Sequence, residues 1–394
     1  MDSLLNELGK LPTYEGIYKP SLFDLSKDGD AERMRALLAT GEVKFVSDDF
    51  EEAQRELFGI NNPSQVYTPD FEQKFKAYFA DLAKDTPHRQ QGIWVFYPWL
   101  STIVHTLPEA DFQKVRSARN RNLISHEEQE KFYDATIGIG GLSVGSSVVS
   151  ALILQGGGKH IKLADFDRLA LTNTNRIRSG IENLGCRKVE IAARQIYEVN
   201  PYAEVELFAD GITRENIDSF FKGLTIVVDE LDNLAVKYLI REYAAKYKIP
   251  VVMGADNGDN AVIDVERYDQ NPGMPFFHGR LGEVSYESLS NLDKFGIGKT
   301  ITKHIGPENV TERMQQSLLE MGKTIVSWPQ LGGAALVNGA AIAYVIRKIV
   351  NGQPVESNRA LISLDEKLIP EYMSEPEVKK RDEISSGFKK MFGL

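Results

Sequence analysis

The feature that most constrains this chain is a succession of short apolar runs that begins after Tyr133. DATIGIGG, HIKLADF, AEVELFA, LTIVVDEL and IPVVMGA follow one another, and segments with helical spacing separate them. The intervening helices are SSVVSALILQ, closed by Gly156, Gly157 and Gly158, then CRKVEIAARQIYEV, a short one around TRENIDSFFKG, and DNLAVKYLIREYAAKYK. Glycines at a helix end supply the left-handed residue that stops it. Short apolar strands alternating with helices imply parallel pairing through crossovers. The expected fold is α/β: a Rossmann-like, doubly wound, mainly parallel sheet.

That pattern occupies only part of the 394 residues, and a chain of this length holds two or three domains. Residues 1–115 read as a smaller α+β domain. DGDAERMRALLATG is a helix ending at Gly41, DDFEEAQRELFGI a second, and DFEQKFKAYFADLAK a third. GIWVFYPWLSTIVHTL reads as strand with a turn near Pro98. No catalytic constellation is visible there, so packing or substrate docking is the expected role. Residues 116–366 form the expected α/β domain, and 367–394 a charged tail.

Composition narrows the function. A net charge of −10 argues against general nucleic-acid binding. A single cysteine excludes an internal disulfide framework and any zinc site built from several cysteines. MDSLLNELGKLPTYEG lacks the basic and apolar regions of a secretory signal. GGAALVNGAAIAYVIRKIV is interrupted by Asn338, Arg347 and Lys348 and reads as a buried core helix rather than a membrane span. A cytoplasmic protein with no membrane partner is expected.

The chemistry-bearing residues gather around the first strands. The glycine loop has two registers, Gly138-x-Gly140-Gly141 or Gly141-x-Ser143-x-Gly145. The second completes the strand with TIGIG and places Asp165 at the distance where dinucleotide folds carry an acidic ribose ligand. Asp167 follows in LADFD and either joins Asp165 or caps the turn. Backbone N–H groups at the start of the next helix suit phosphate oxygens. Asn173, Arg176 and Lys188 lie just beyond, and two cations converging on one nucleotide suit a triphosphate better than a pyrophosphate bridge. Taken singly, each has an ordinary reading as a solvated surface charge. After the buried strand TIVV come Asp229 and Asp232, either a Mg²⁺ ligand beside the phosphates or, for Asp232-Asn233, a helix cap.

As a set, GLSVGS, ADFD, NTNR, CRKVE, Asn200-Pro201, LDN and the later WPQLGG resemble the ThiF/E1-like adenylyltransferases, the ubiquitin-activating-enzyme-like superfamily, over residues 117 to 365. They look most similar to bacterial GLSVG-type ThiF domains. The resemblance implies ATP-dependent activation of a carboxylate on a protein, peptide or small acid, with release of pyrophosphate. It makes Gly141, Ser143, Gly145, Asp165 and Asp167 part of the ATP site. Asn173, Arg176 and Lys188 become the triphosphate clamp. Asp232 would hold Mg²⁺, with Asn233 beside it; Arg176, Lys188 and Asp232 carry the catalytic roles. Arg119 resembles an arginine inserted into the neighbouring subunit's site, which implies a homodimer, and Arg121 fits a register two residues later. Ser143 departs from the glycine that the pattern expects.

A substrate carboxylate is ionised at neutral pH, so no general base is required and alignment with charge stabilisation suffices. Many relatives carry a thioester cysteine and a cysteine-bound zinc, yet the loop NPGMPFFHGRLGEVSYESL holds no cysteine. No zinc and no covalent thioester are therefore expected. Cys186 reads as structural. His278 and Arg280 are held in reserve as contacts to an acyl substrate. Two competing readings stand: an NAD- or FAD-binding oxidoreductase, and a nucleotide-binding scaffold without turnover.

Overall fold

The structure is a computed structural model, and it describes residues 6–7 and 13–393. Most of the opening stretch that bears on a secretory signal lies outside the described residues. The chain falls into two compact units. One holds the residues up to Gln129 together with Ala193–Ala203, and the other holds Glu130–Ala192 and everything from Glu204.

In the first unit, β1 (Ser21–Phe23), β2 (Phe45–Asp48), β3 (Ile93–Tyr97) and β4 (Thr102–Thr106) form one sheet in the order β1-β3-β4-β2. Only the β2–β4 pair is parallel. A 3₁₀ turn at Pro98–Leu100 joins β3 to β4, because proline presets the backbone for such a turn. The three expected helices are Asp30–Thr40, Phe50–Asn61 and Phe71–Leu82. Gly41 ends the first at φ 71°, a conformation that glycine adopts without steric cost. Phe23, Trp94, Phe96 and Ile103 are buried together. His105 lies between the rings of Phe50 and Trp94 at 4.2 and 4.3 Å.

The second unit is built on a seven-stranded sheet, β11-β10-β9-β8-β5-β6-β7. Its strands are β5 (Thr136–Gly140), β6 (His160–Ala164), β7 (Glu204–Phe208), β8 (Ile226–Asp229), β9 (Val251–Asn257), β10 (Asn260–Glu266) and β11 (Arg359–Ile362). Strands β5 to β9 pair in parallel, and β10 runs antiparallel to both of its neighbours. The chain starts in the middle at β5, winds outward through β6 and β7, and then crosses back to β8. The strand order therefore reverses between β5 and β8, and in such sheets ligands bind at the carboxyl ends on either side of that point.

Gly332–Val350 is a single helix packed on β9, β10 and the Gly145–Leu154 helix. It buries Ala334, Ala335, Asn338, Ile342, Ala343 and Ile346. A side chain at Gly339 would overlap the Ser147 backbone, so glycine there sets the close approach of the two helices. Among the described residues it is the one helix long and apolar enough to cross a membrane by length and composition; its packing is that of a core helix. The end of the chain forms the Glu375–Phe392 helix.

Candidate functional site

The glycine loop leaves β5 through Gly141, at φ 84°. A Cβ there would overlap the Glu230 carbonyl, so both the turn and the approach of the β8 end require glycine. Gly138 and Gly140 lie inside β5, and the helix begins at Gly145, so the chain turns in the Gly141-x-Ser143-x-Gly145 register. The Gly141 N–H donates to the Ala164 carbonyl at 2.8 Å, tying the loop to the end of β6.

Asp165 follows β6 and fastens the same loop. Its Oδ2 accepts the Leu142 N–H at 2.7 Å and its Oδ1 the Asp167 N–H at 2.8 Å. Burial pushes its carboxyl above the usual range, while Lys188 and the two N–H groups pull it back. Lys188, at the start of the Lys188–Val199 helix, reaches Asp167 Oδ2 at 2.7 Å and stands 3.9 Å from Asp165 Oδ2. The side chain is nearly buried, so its charge is held among carboxylates rather than in water.

Arg176 completes the group. Its Nε donates to Ser143 Oγ at 2.8 Å, and its Nη1 to the Thr172 carbonyl at 3.2 Å and Asn175 Oδ1 at 2.9 Å. Burial lowers the guanidinium's titration, and the charges of Asp256 and Asp232 oppose that change. Asp232 is exposed just past β8 and makes no hydrogen bond to the described residues. Loop, carboxylates and cations thus gather at the carboxyl ends of β5, β6, β8 and β9.

Asp256, near the end of β9, was invisible in the sequence pattern. Its Oδ1 accepts from Asn338 Nδ2 at 2.6 Å and its Oδ2 from Gln330 Nε2 at 3.4 Å. Burial raises its carboxyl to about 6 against the pull of Asn338, Arg176 and Gln330. The one available signal was its position, since it ends the strand next to the one that leads to Asp232. Glu230 is a second buried carboxyl, pushed well above the usual range by burial, and it accepts the Gly254 N–H at 2.6 Å.

Other expected residues fall elsewhere. Asp229 is corrected as a Mg²⁺ candidate. Its carboxylate is fully buried, 3.0 Å from Lys237 Nζ and paired with Arg241, which also reaches Glu266 at 2.8 Å. Asn233, rather than Asp232, caps the Leu234–Tyr247 helix, accepting the N–H groups of Ala235 and Val236. The Asn173 side-chain oxygen accepts the Ala170 N–H at 3.0 Å, so it is used within its own turn. Cys186 packs with Leu169, Ile177 and Ile191, in keeping with a structural role. Arg119 and Arg121 are both exposed, and Arg119 makes no hydrogen bond to the described residues.

His278 and Arg280 are corrected as substrate contacts. His278 Nε2 lies 2.9 Å from Asp264 Oδ1, and Arg280 Nη1 lies 2.7 Å from Asp264 Oδ2, which Arg359 also reaches at 2.6 Å. Asp264 pairs with Met253 in the first half of β9, away from the end that carries Asp256. These side chains satisfy a buried carboxylate, held well below its usual range despite burial by His278, Arg359 and neighbouring cations.

Residues 117–273 match the model of the ThiF family. That segment is a ThiF-family domain. An uncharacterized protein of Mycobacterium tuberculosis is 36% identical over 69% of this chain and 38% of its own length. The tRNA threonylcarbamoyladenosine dehydratase of Escherichia coli is 33% identical over 41% of this chain and 64% of its own length. A crystal structure of that enzyme aligns with 61% of this chain and 95% of its own at 20% identity and a TM-score of 0.43. The sulfur carrier protein adenylyltransferase of Thermus thermophilus is 28% identical over 40% of this chain and 57% of its own length. The chain therefore spans less than two thirds of each of these curated relatives. The residues matched to the ThiF family include Asp165, Arg176, Lys188, Asp232 and Asp256.

Proposed function

We propose that this chain, through its ThiF-family domain, binds ATP with Mg²⁺ and adenylates a carboxylate of a protein, peptide or small acid, without a cysteine thioester. The observation that carries the reading is the convergence of Asp165, Arg176, Lys188 and Asp232 at the carboxyl ends of the strands beside the point where strand order reverses. Two relatives support it, one named an adenylyltransferase and one a dehydratase acting on a modified tRNA nucleoside.

In the reaction, a carboxylate oxygen of the substrate attacks the α-phosphorus. A P–O bond to the acyl group forms as the bond from the α-phosphorus to the bridging oxygen breaks, and its electron pair leaves with pyrophosphate. Arg176 and Lys188 offset the charge that develops on the phosphates, and backbone N–H groups at the start of the Gly145–Leu154 helix orient them. Lys188 exchanges its Asp167 partner for the nucleotide. Asp165 keeps the loop closed and, with oxygen lone pairs to spare, accepts from a ribose hydroxyl.

The residues present fit a Mg²⁺ ion. Asp232 offers an exposed carboxylate with no competing hydrogen bond, and Mg²⁺ is commonly held by one or two carboxylates, phosphates and water. When bound, the ion neutralises phosphate charge. The exposed, unbonded state of Arg119 favours its reaching a second copy of the chain in a homodimer.

Thermal unfolding with ATP plus Mg²⁺, NAD⁺, NADP⁺ and FAD in parallel tests the reading. ATP plus Mg²⁺ alone is expected to stabilise the protein, by about 2.7 kcal/mol at a hundred times its Kd. Arg176→Ala and Lys188→Ala are expected to reduce the gain without removing it. Stabilisation by NAD⁺ or FAD and none by ATP would overturn the proposal in favour of an oxidoreductase.

A further inference from the structure

Ser143 stands where the family resemblance expects glycine, and its hydroxyl faces a guanidinium. Arg176 Nε donates to Ser143 Oγ at 2.8 Å. The Nε–H of an arginine is a single donor lying in the guanidinium plane, so fixing it fixes the plane. Both N–H groups of Nη1 have acceptors as well, the Thr172 carbonyl and Asn175 Oδ1. Nη2 is the one guanidinium nitrogen that no hydrogen bond to the described residues occupies.

The other support is itself held. Asn175 Nδ2 donates to the Gln330 carbonyl at 2.8 Å, and Gln330 Nε2 reaches Asp256 Oδ2 at 3.4 Å. Asp256 is anchored in turn by Asn338 on the Gly332–Val350 helix. A side chain at Gly332 would overlap the Asn175 carbonyl, so the start of that helix closes on the arginine loop. Arg176 is thus gripped from the glycine loop and from the Gln330 segment, and it feels the charges of Asp256 and Asp232.

We propose that Ser143 is a positioning residue that aims Arg176, so that Nη2 faces the phosphates of the nucleotide, and that it acts through the arginine rather than on the phosphates themselves. The inference rests on the ATP reading above. A hydroxyl in the glycine loop then does what a third glycine could not. It supplies a neutral acceptor to Nε and leaves the positive charge for the ligand, where a carboxylate would cancel it.

The test is a double-mutant cycle on the full chain. ATP plus Mg²⁺ and, separately, adenosine are titrated calorimetrically into the wild type, Ser143→Ala, Arg176→Ala and the double variant. Ser143→Ala is expected to weaken ATP about tenfold, which corresponds to about 1.4 kcal/mol. It should leave adenosine within about twofold, and it should add nothing in the Arg176→Ala background. Ser143→Thr, which keeps the hydroxyl, is expected to restore ATP affinity. Loss by Ser143→Ala of similar size in both backgrounds would overturn the proposal, because the hydroxyl would then act on the phosphates directly. Unchanged ATP affinity in Ser143→Ala would overturn it too, while leaving the ATP reading intact. A wild type that binds no ATP would overturn both.

Discussion

Asp256 carries a charge that the fold would shed if stability were all that mattered, and replacing it with asparagine measures how much that charge costs. Burial moves its titration from an ordinary 3.8 to about 6, which corresponds to about 3 kcal/mol. At 7% exposure the side chain has little water to screen it. The sign follows from linkage: the folded state holds the proton more tightly than the unfolded one. The stability gained from that is fully present below 3.8 and is lost as the pH rises through about 6. Asp256→Asn keeps an acceptor for Asn338 but obliges Gln330 to turn its amide, a loss of about 1 kcal/mol. The variant is therefore expected to be about 2 kcal/mol more stable than the wild type at pH 7.5 and no more stable at pH 4, these being set by the same balance. Urea unfolding at several pH values, followed by tryptophan fluorescence and circular dichroism, reads the difference. Trp328 reports on the sheet unit from its packing beside Val262 and Met314. A variant less stable than the wild type at pH 7.5 would refute the argument, since it would mean that attraction to Arg176 outweighs the burial of the charge.

Gly141→Ala places a methyl group against the Glu230 carbonyl at a φ of 84°. Left-handed strain plus overlap is expected to lower stability by about 3 kcal/mol in urea; a loss below about 1 kcal/mol would show that the loop relaxes freely. Asp229→Ala leaves Lys237 and Arg241 buried without their shared counterion, and a loss of about 3–5 kcal/mol is expected. Asp232→Ala should leave urea stability within about 0.5 kcal/mol yet reduce the Mg²⁺-dependent part of ATP affinity. Equal effects of the two substitutions on stability would contradict the separation drawn between these carboxylates.

Much of the sheet was legible because its central strands are buried on both faces and read as continuous apolar runs, as in TIVV and PVVM. Strand β10 was not. Every residue of NAVIDVE is buried, but Asp264 and Glu266 make the segment look like a polar loop. Their counterions, Arg280, Arg359 and Arg241, come from distant parts of the chain. The short β1 and the wholly exposed β2 carry no burial pattern to read. In the site, Asp165, Asp167, Arg176 and Lys188 lie on the one connection from the end of β6 to the start of the next α-helix, so their proximity follows from local order. Asp256 meets Asn338 and Gln330 only through the packing of the Gly332–Val350 helix, which local order does not specify.

Asp229 and Asp232 show what separates a structural charge from a chemical one. Both follow the same buried strand, and strand position alone assigns either of them to a metal. The deciding information lies in the next helix, where Lys237 and Arg241 are spaced four apart and so project from one face. Two cations on the buried face of a helix require a carboxylate in the core, and Asp229, the last residue of β8, meets both. Asp232, beyond the strand and before the Asn233 cap, has no such claimant and keeps its oxygens free. The same accounting applies to Arg176, whose Nε and Nη1 are used by the protein and whose Nη2 is not. Whether a buried partner claims a charge, as at Asp229, or leaves it unclaimed, as at Asp232, is what separates the two carboxylates at the end of this strand.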